Sequence, residues 1–153
     1  MIVQISDPAE KRRIARGILE ALPDWFGVEA SREAYIAQSA GQPFFAAMRD
    51  GEPVGFLCLK RTGDATVELA VMGVLAACHR QGVGRRLFEA ARAYARDAGY
   101  VYMQVKTVQM GRYPDYDDTN RFYRSLGFRE LEVFPTLWDA DNPCQVYVMN
   151  VGS

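Results

Sequence analysis

Val71-Met72-Gly73-Val74-Leu75-Ala76-Ala77-Cys78-His79-Arg80-Gln81-Gly82-Val83-Gly84-Arg85-Arg86-Leu87 leads from an apolar strand, through a glycine-rich turn, into a helix. Glycine lets the backbone turn tightly and lets a ligand come close. The first N–H groups of a helix have no intrahelical partner, and the helix dipole places partial positive charge beside them. Together these features suit a pyrophosphate. The plainer reading is that Gly82 and Gly84 only make a tight strand-to-helix connection. A P-loop would need Lys then Ser or Thr after the last glycine, and Arg85 stands there. A dinucleotide fingerprint would need a third glycine where Leu87 stands.

Downstream, Val83, Leu87, Ala91, Tyr94 and Ala98 form one apolar stripe, with Arg85, Glu89, Arg92 and Arg96 off it. Gly99 closes that helix. The β-branched and aromatic run 100–108 reads as a strand. A polar loop over 109–118 follows, and Asp117 or Asp118 caps a short helix ending at Gly127. Segments 128–134 and 145–151 read as closing strands joined by a loop, PTLWDADNPC.

Upstream, Asp50-Gly51 is a hairpin signal between strands 44–49 and 54–60, and Thr62-Gly63-Asp64 turns the chain into strand 65–74. These tight turns predict an antiparallel meander. Residues 1–5 read as a first strand. Ile14, Ile18, Leu19 and Leu22 mark one helix after Ser6 or Asp7, and a second helix spans 31–40. The order β-α-α-β-β-β-α-β-α-β-β is that of a mixed α/β domain with a right-handed crossover between the fourth and fifth strands.

The 153 residues, 49% apolar and 24% charged, predict one ordinary globular domain. A net charge of -1 disfavours non-specific nucleic-acid binding. Three scattered cysteines, Cys58, Cys78 and Cys144, without a C-x-x-C pattern, predict reduced thiols and a cytoplasmic setting. With one histidine, no metal site is expected. No segment reads as a leader or membrane span, so no membrane partner is expected.

The segment His79-Arg80-Gln81-Gly82-Val83-Gly84, five residues after Val74, resembles the [Arg/Gln]-x-x-Gly-x-[Gly/Ala] signature of the GNAT acetyltransferases. Tyr123-Arg124-Ser125-Leu126-Gly127-Phe128 resembles that family's later Tyr-x-x-x-Gly-Phe motif. His79 stands where Arg or Gln is usual, Ala76 where proline is common, and Tyr116 where an asparagine is common. The resemblance implies a GNAT-like sheet with antiparallel N-terminal strands, a splayed parallel central pair and helices on both faces. It implies acetyl-CoA as co-substrate and direct acetyl transfer to a primary amine, on a small molecule or a peptide. A non-catalytic acyl-CoA-binding or sensing domain on the same scaffold is the alternative. A transferase for an RNA-linked amine is a third reading, which the charge disfavours. A homodimer is among the assemblies the resemblance allows.

By the same resemblance, Met72, Gly73 and Val74 meet the pantetheine arm, and His79, Arg80, Gln81, Gly82, Val83, Gly84 and Arg85 meet the pyrophosphate. Asn120 stands in for the missing asparagine. Tyr123 meets the cofactor and protonates the leaving thiolate, because a phenol stays protonated at neutral pH. Glu68, a carboxylate in an apolar strand and, if no bulge intervenes, on the face of Met72 and Val74, is the candidate base; the alternatives are an exposed carboxylate, a core ion pair, or a water chain in its place. Tyr113, Asp115 and Tyr116 are the candidate amine pocket. Cys78 beside His79 is a weaker nucleophile candidate, since sequence neighbours in a loop often point apart.

Overall fold

A computed structural model of the chain describes residues 1–152. Its elements are β1 (Ile2–Ile5), α1 (Pro8–Glu20), α2 (Pro23–Phe26), α3 (Glu29–Ser39), β2 (Phe44–Arg49), β3 (Glu52–Arg61) and β4 (Thr66–Val74). A 3-10 turn (Ala76–Cys78) leads to α4 (Val83–Asp97), β5 (Tyr102–Val108), α5 (Pro114–Leu126), β6 (Arg129–Asp139) and β7 (Asn142–Asn150). Strand order is β1-β2-β3-β4-β5-β7-β6. The β1–β2, β2–β3, β5–β7 and β6–β7 pairs are antiparallel, and β4–β5 is parallel. The mixed α/β sheet expected from the sequence is present.

The chain divides into two compact units. The first holds Met1–Lys60 and Leu69–Tyr94. Its core joins Ile14, Ile18 and Leu19 of α1 and Ile36 of α3 to Phe44, Phe56 and Val71 of the strands. Phe44 and Phe56 stack at 5.2 Å. The Asp7 carboxylate caps α1 by accepting the Glu10 N–H at 3.1 Å, with Pro8 in the first turn. Asp50 and Gly51 both have positive φ (53° and 79°), as a two-residue hairpin requires. Gly73 is needed for close packing, because a Cβ there would lie 2.9 Å from Ile18 Cγ2.

The second unit holds Arg61–Glu68 and the chain from Ala95. Thr66–Glu68 pair in parallel with Tyr102–Gln104, and β5 continues along β7 as far as Val108 and Cys144. The end of α4 is closed by Gly99 (φ +91°): Gly99 N–H donates to Arg96 and Tyr100 N–H to Ala95.

Four expectations are corrected. A short helix, α2, follows Leu22, started by Pro23. The loop expected over 109–118 is shorter, because Pro114 opens α5. Asp117 and Asp118 therefore lie inside that helix, and Asp117 N–H donates to Tyr113 O. The expected loop 135–144 is mostly strand. Pro135 is tolerated because β6 is an edge strand, and the Asp139 carboxylate closes the turn by accepting from Asp141 N–H and Asn142 Nδ2. On α4, Phe88 and Ala95 are buried, whereas Tyr94 is half-buried and Ala98 is exposed beyond the helix end.

Candidate functional site

Burial alternates without a break along β4: Val67, Leu69, Val71 and Gly73 are buried, while Thr66, Glu68, Ala70, Met72 and Val74 are half-buried. Glu68, Met72 and Val74 all fall on the half-buried positions of this alternation. Beyond β4, Arg80 and Gly82 adopt positive φ (62° and 80°). The first helical bond of α4 runs from Arg86 N–H to Gly82 O, so the N–H groups of Gly82, Val83 and Gly84 lie ahead of it. This donor set, at a turn of left-handed residues, fits a pyrophosphate.

Side chains brace the loop. His79 Nε2 lies 2.6 Å from Val74 O, which requires the proton on Nε2, and its ring meets Trp25 edge-on at 5.7 Å. Gln81 accepts from Arg49 at 2.8 Å and donates to Ala77 O, so its amide serves the loop itself. Arg49 also donates to Cys78 Sγ at 3.4 Å. Cys78 is buried and takes its hydrogen bond from Arg49, while His79 is held through Nε2 by the Val74 carbonyl. Arg80 and Arg85 are exposed. Arg49 is a loop-positioning residue that the sequence did not mark, since its partner lies 32 positions away.

In the second unit Glu68 is an ion-pair partner, the alternative weighed for it from sequence. Lys106 Nζ lies 2.9 Å from its Oε1, and Gln104 Nε2 donates to the same oxygen at 3.0 Å. The Glu68 side chain is 12% exposed and that of Lys106 34%, so the charges meet partly away from water. Gln104 and Lys106 were missed; their i, i+2 spacing on β5, opposite a buried carboxylate, is the signal that could have found them.

On α5, Tyr123 is buried, with ring centroids 5.8 Å from Phe128 and 6.3 Å from Tyr147. Asn120 is fully buried. Its Nδ2 donates to Val108 O (2.8 Å) and Tyr116 O (2.6 Å), and its Oδ1 accepts from Tyr147 OH (2.6 Å). Both amide protons and the oxygen thus help to hold α5 against β5 and β7. Arg124 donates to the same Tyr147 hydroxyl and pairs with Glu130 at 2.6 Å.

The candidate amine pocket is brought together only locally. Tyr113 and Tyr116 meet edge-on at 6.0 Å across the start of α5, and Tyr113 is exposed. Asp115 is half-buried in the first helical turn, where a carboxylate suits the dipole. Asp117 instead secures the loop, accepting Gly111 N–H at 2.7 Å.

Comparison with known proteins follows the same lines. A solved GNAT-family protein from Desulfovibrio desulfuricans is similar over 99% of this chain and 98% of its own, at 20% identity and TM-score 0.83. An aminoglycoside 6'-acetyltransferase type Ii is similar over 99% and 97%, at 20% identity and TM-score 0.80. An aminoglycoside 6'-N-acetyltransferase complexed with coenzyme A is similar over 99% and 97%, at 16% identity and TM-score 0.75. At these identities the likeness speaks for the fold. A family model described as the acetyltransferase (GNAT) domain matches residues 40–130, a span that includes Glu68, the glycine loop and Tyr123. With more than half of its length matched, the chain belongs to the GNAT acetyltransferase family.

Proposed function

We propose that the protein is a single-domain, acetyl-CoA-dependent N-acetyltransferase that acts on a primary amine in a ternary complex. The observation that carries this reading is the unbroken alternation of β4. Glu68, Met72 and Val74 are all half-buried positions of that strand, which supports a carboxylate and a pantetheine-binding backbone on one strand. A relative bound to coenzyme A and others named for acetylating aminoglycosides support the cofactor and the amine chemistry. Three free, buried cysteines are compatible with a reducing, cytoplasmic setting.

The N–H groups at the start of α4 would hold the pyrophosphate, and the backbone of Met72 and Val74 would hold the pantetheine arm. Acetyl-CoA supplies the acetyl group as an activated thioester. Glu68, directly or through water, takes the proton that the ammonium must lose before its nitrogen can attack. A backbone N–H between Met72 and Val74 donates to the carbonyl oxygen as negative charge develops on it. Tyr123 gives its phenolic proton to the departing sulfur and regains one as the new amide nitrogen sheds its second proton, directly or through water. Tyr113, Asp115 and Tyr116 receive the amine, through an acidic and aromatic surface.

Calorimetric titration with acetyl-CoA, using NAD as control, tests the first half. Micromolar binding of acetyl-CoA alone is expected, followed by thiol release with members of a primary-amine panel that includes aminoglycosides. No binding to well-folded protein would overturn the reading. Binding without transfer to any amine would favour an acyl-CoA-sensing domain.

A further inference from the structure

Glu68 and Gln104 are register partners across the parallel β4–β5 pair, and Lys106 follows two residues later on β5, on the side of Gln104. Lys106 Nζ and Gln104 Nε2 converge on one oxygen, Oε1, at 2.9 and 3.0 Å. Gln104 Nε2 also reaches Thr62 Oγ1 at 3.5 Å, which ties the amide to the β3–β4 turn. Cys144 is the other titratable group that feels this pair; burial, the largest influence on it, raises its thiol, with Lys106 lowering and Glu68 raising it further.

A carboxylate this buried is costly without a cation beside it. The arrangement therefore does two things. It compensates the Glu68 charge, and it fixes the carboxylate through two contacts to Oε1.

We propose that Lys106 is a positioning residue for acetyl transfer, anchoring Glu68 through Oε1 so that its carboxylate is held in the orientation that receives the amine proton. This rests on the reading of Glu68 as the base. In the step, an N–H bond of the substrate ammonium breaks and an O–H bond forms on the Glu68 carboxylate. The nitrogen keeps the electron pair, and the proton later passes to solvent. Lys106 transfers nothing; its ammonium holds the carboxylate in one rotamer.

The test is a double-mutant cycle read by kinetics and by melting temperature. Lys106→Met is expected to lower kcat about tenfold, part of the roughly 100-fold or more that a general base contributes, with KM for acetyl-CoA nearly unchanged. Lys106→Arg should restore most of kcat. In the Glu68→Gln background, Lys106→Met should have little further effect, because residues acting as a unit are not additive. Melting should follow the same cycle, with Lys106→Met lowering the wild-type midpoint by about 3 °C and the Glu68→Gln midpoint by much less. Should Lys106→Met fail to fold, Lys106→Gln takes its place.

Additive losses, or full kcat in Lys106→Met with Glu68→Gln impaired, would overturn the positioning role and leave the base intact. Full kcat in Glu68→Gln would overturn the base and the proposal with it. No turnover by the wild-type protein with any amine would overturn both.

Discussion

The N–H of Phe128 donates to the carbonyl of Tyr123 at 3.2 Å, and the two rings meet edge-on with centroids 5.8 Å apart. Between them Gly127 has φ +107° and donates to Arg124 O at 3.1 Å. This is a helix end of the Schellman kind, in which the residue after the glycine folds back onto the last turn. The spacing Tyr-x-x-x-Gly-Phe is thus explained by capping geometry. The glycine supplies a left-handed backbone, and the phenylalanine packs against the tyrosine ring proposed to act in transfer.

Replacing Gly127 by alanine should cost about 1 kcal/mol, the price of a left-handed Cβ residue. The nearest atom to a new Cβ is Met149 Cε at 3.7 Å, an ordinary contact, so the loss is conformational and not a clash. Urea unfolding should show a lower midpoint with an unchanged slope.

Tyr123→Phe keeps the ring that packs against Phe128 and Tyr147 and removes only the hydroxyl. If that hydroxyl protonates the departing sulfur, kcat should fall roughly 100-fold while the binding of acetyl-CoA changes little. Stopped assays for free thiol and calorimetry on the same preparation separate the two. Unchanged kcat would remove the acid role.

Asn120→Ala should be more damaging to the fold than to cofactor affinity. It removes the side-chain partner of Val108 O, of Tyr116 O and of the Tyr147 hydroxyl proton at a fully buried residue. About 3 kcal/mol of stability should be lost, read by chemical denaturation, since unsatisfied buried groups cost about 1–3 kcal/mol each.

The contrast between Asn120 and Glu68 shows what a sequence carries and what it does not. Strand alternation, the Asp50-Gly51 turn and the helix-closing Gly99 and Gly127 are local properties, and each is realised where its residues indicated. The short loop before α5 was misread because Asp117 and Asp118 looked like caps, while Pro114 had already fixed the helical start. Partnerships across strands are not local. Lys106 meets Glu68 only because β4 and β5 pair in parallel in one register, and Tyr147 meets Asn120 across 27 positions. Lys106 and the structural role of Asn120 therefore emerge from the fold.

Burial pushes the Cys58 thiol well above its ordinary value near 9.0, with Lys11 pulling it slightly back. The unfolded chain loses this proton near the ordinary value, whereas the folded chain retains it. Above about pH 9 the unfolded state therefore binds fewer protons, and stability falls as pH rises. Unfolding midpoints under reducing conditions should decline from pH 9 upward, and Cys58→Ala should flatten that decline without altering the plateau shape below pH 8. An identical slope in the variant would show that other groups set it.

Gly82 tests the loop directly. Its φ of +80° is one that side-chain-bearing residues rarely adopt, yet a Cβ there would meet nothing within 4 Å. Gly82→Ala should therefore fold, but it should relax the turn that sets the first N–H groups of α4. Strain of about 1 kcal/mol corresponds to a loss of roughly fivefold in acetyl-CoA affinity. Gly41→Ala, also with open space around it but without a left-handed backbone, serves as the matched control and should bind normally. Calorimetry on the three proteins decides the matter. Equal affinities would mean that the pyrophosphate does not depend on the conformation of this loop, and the N-terminus of α4 would lose its assigned role.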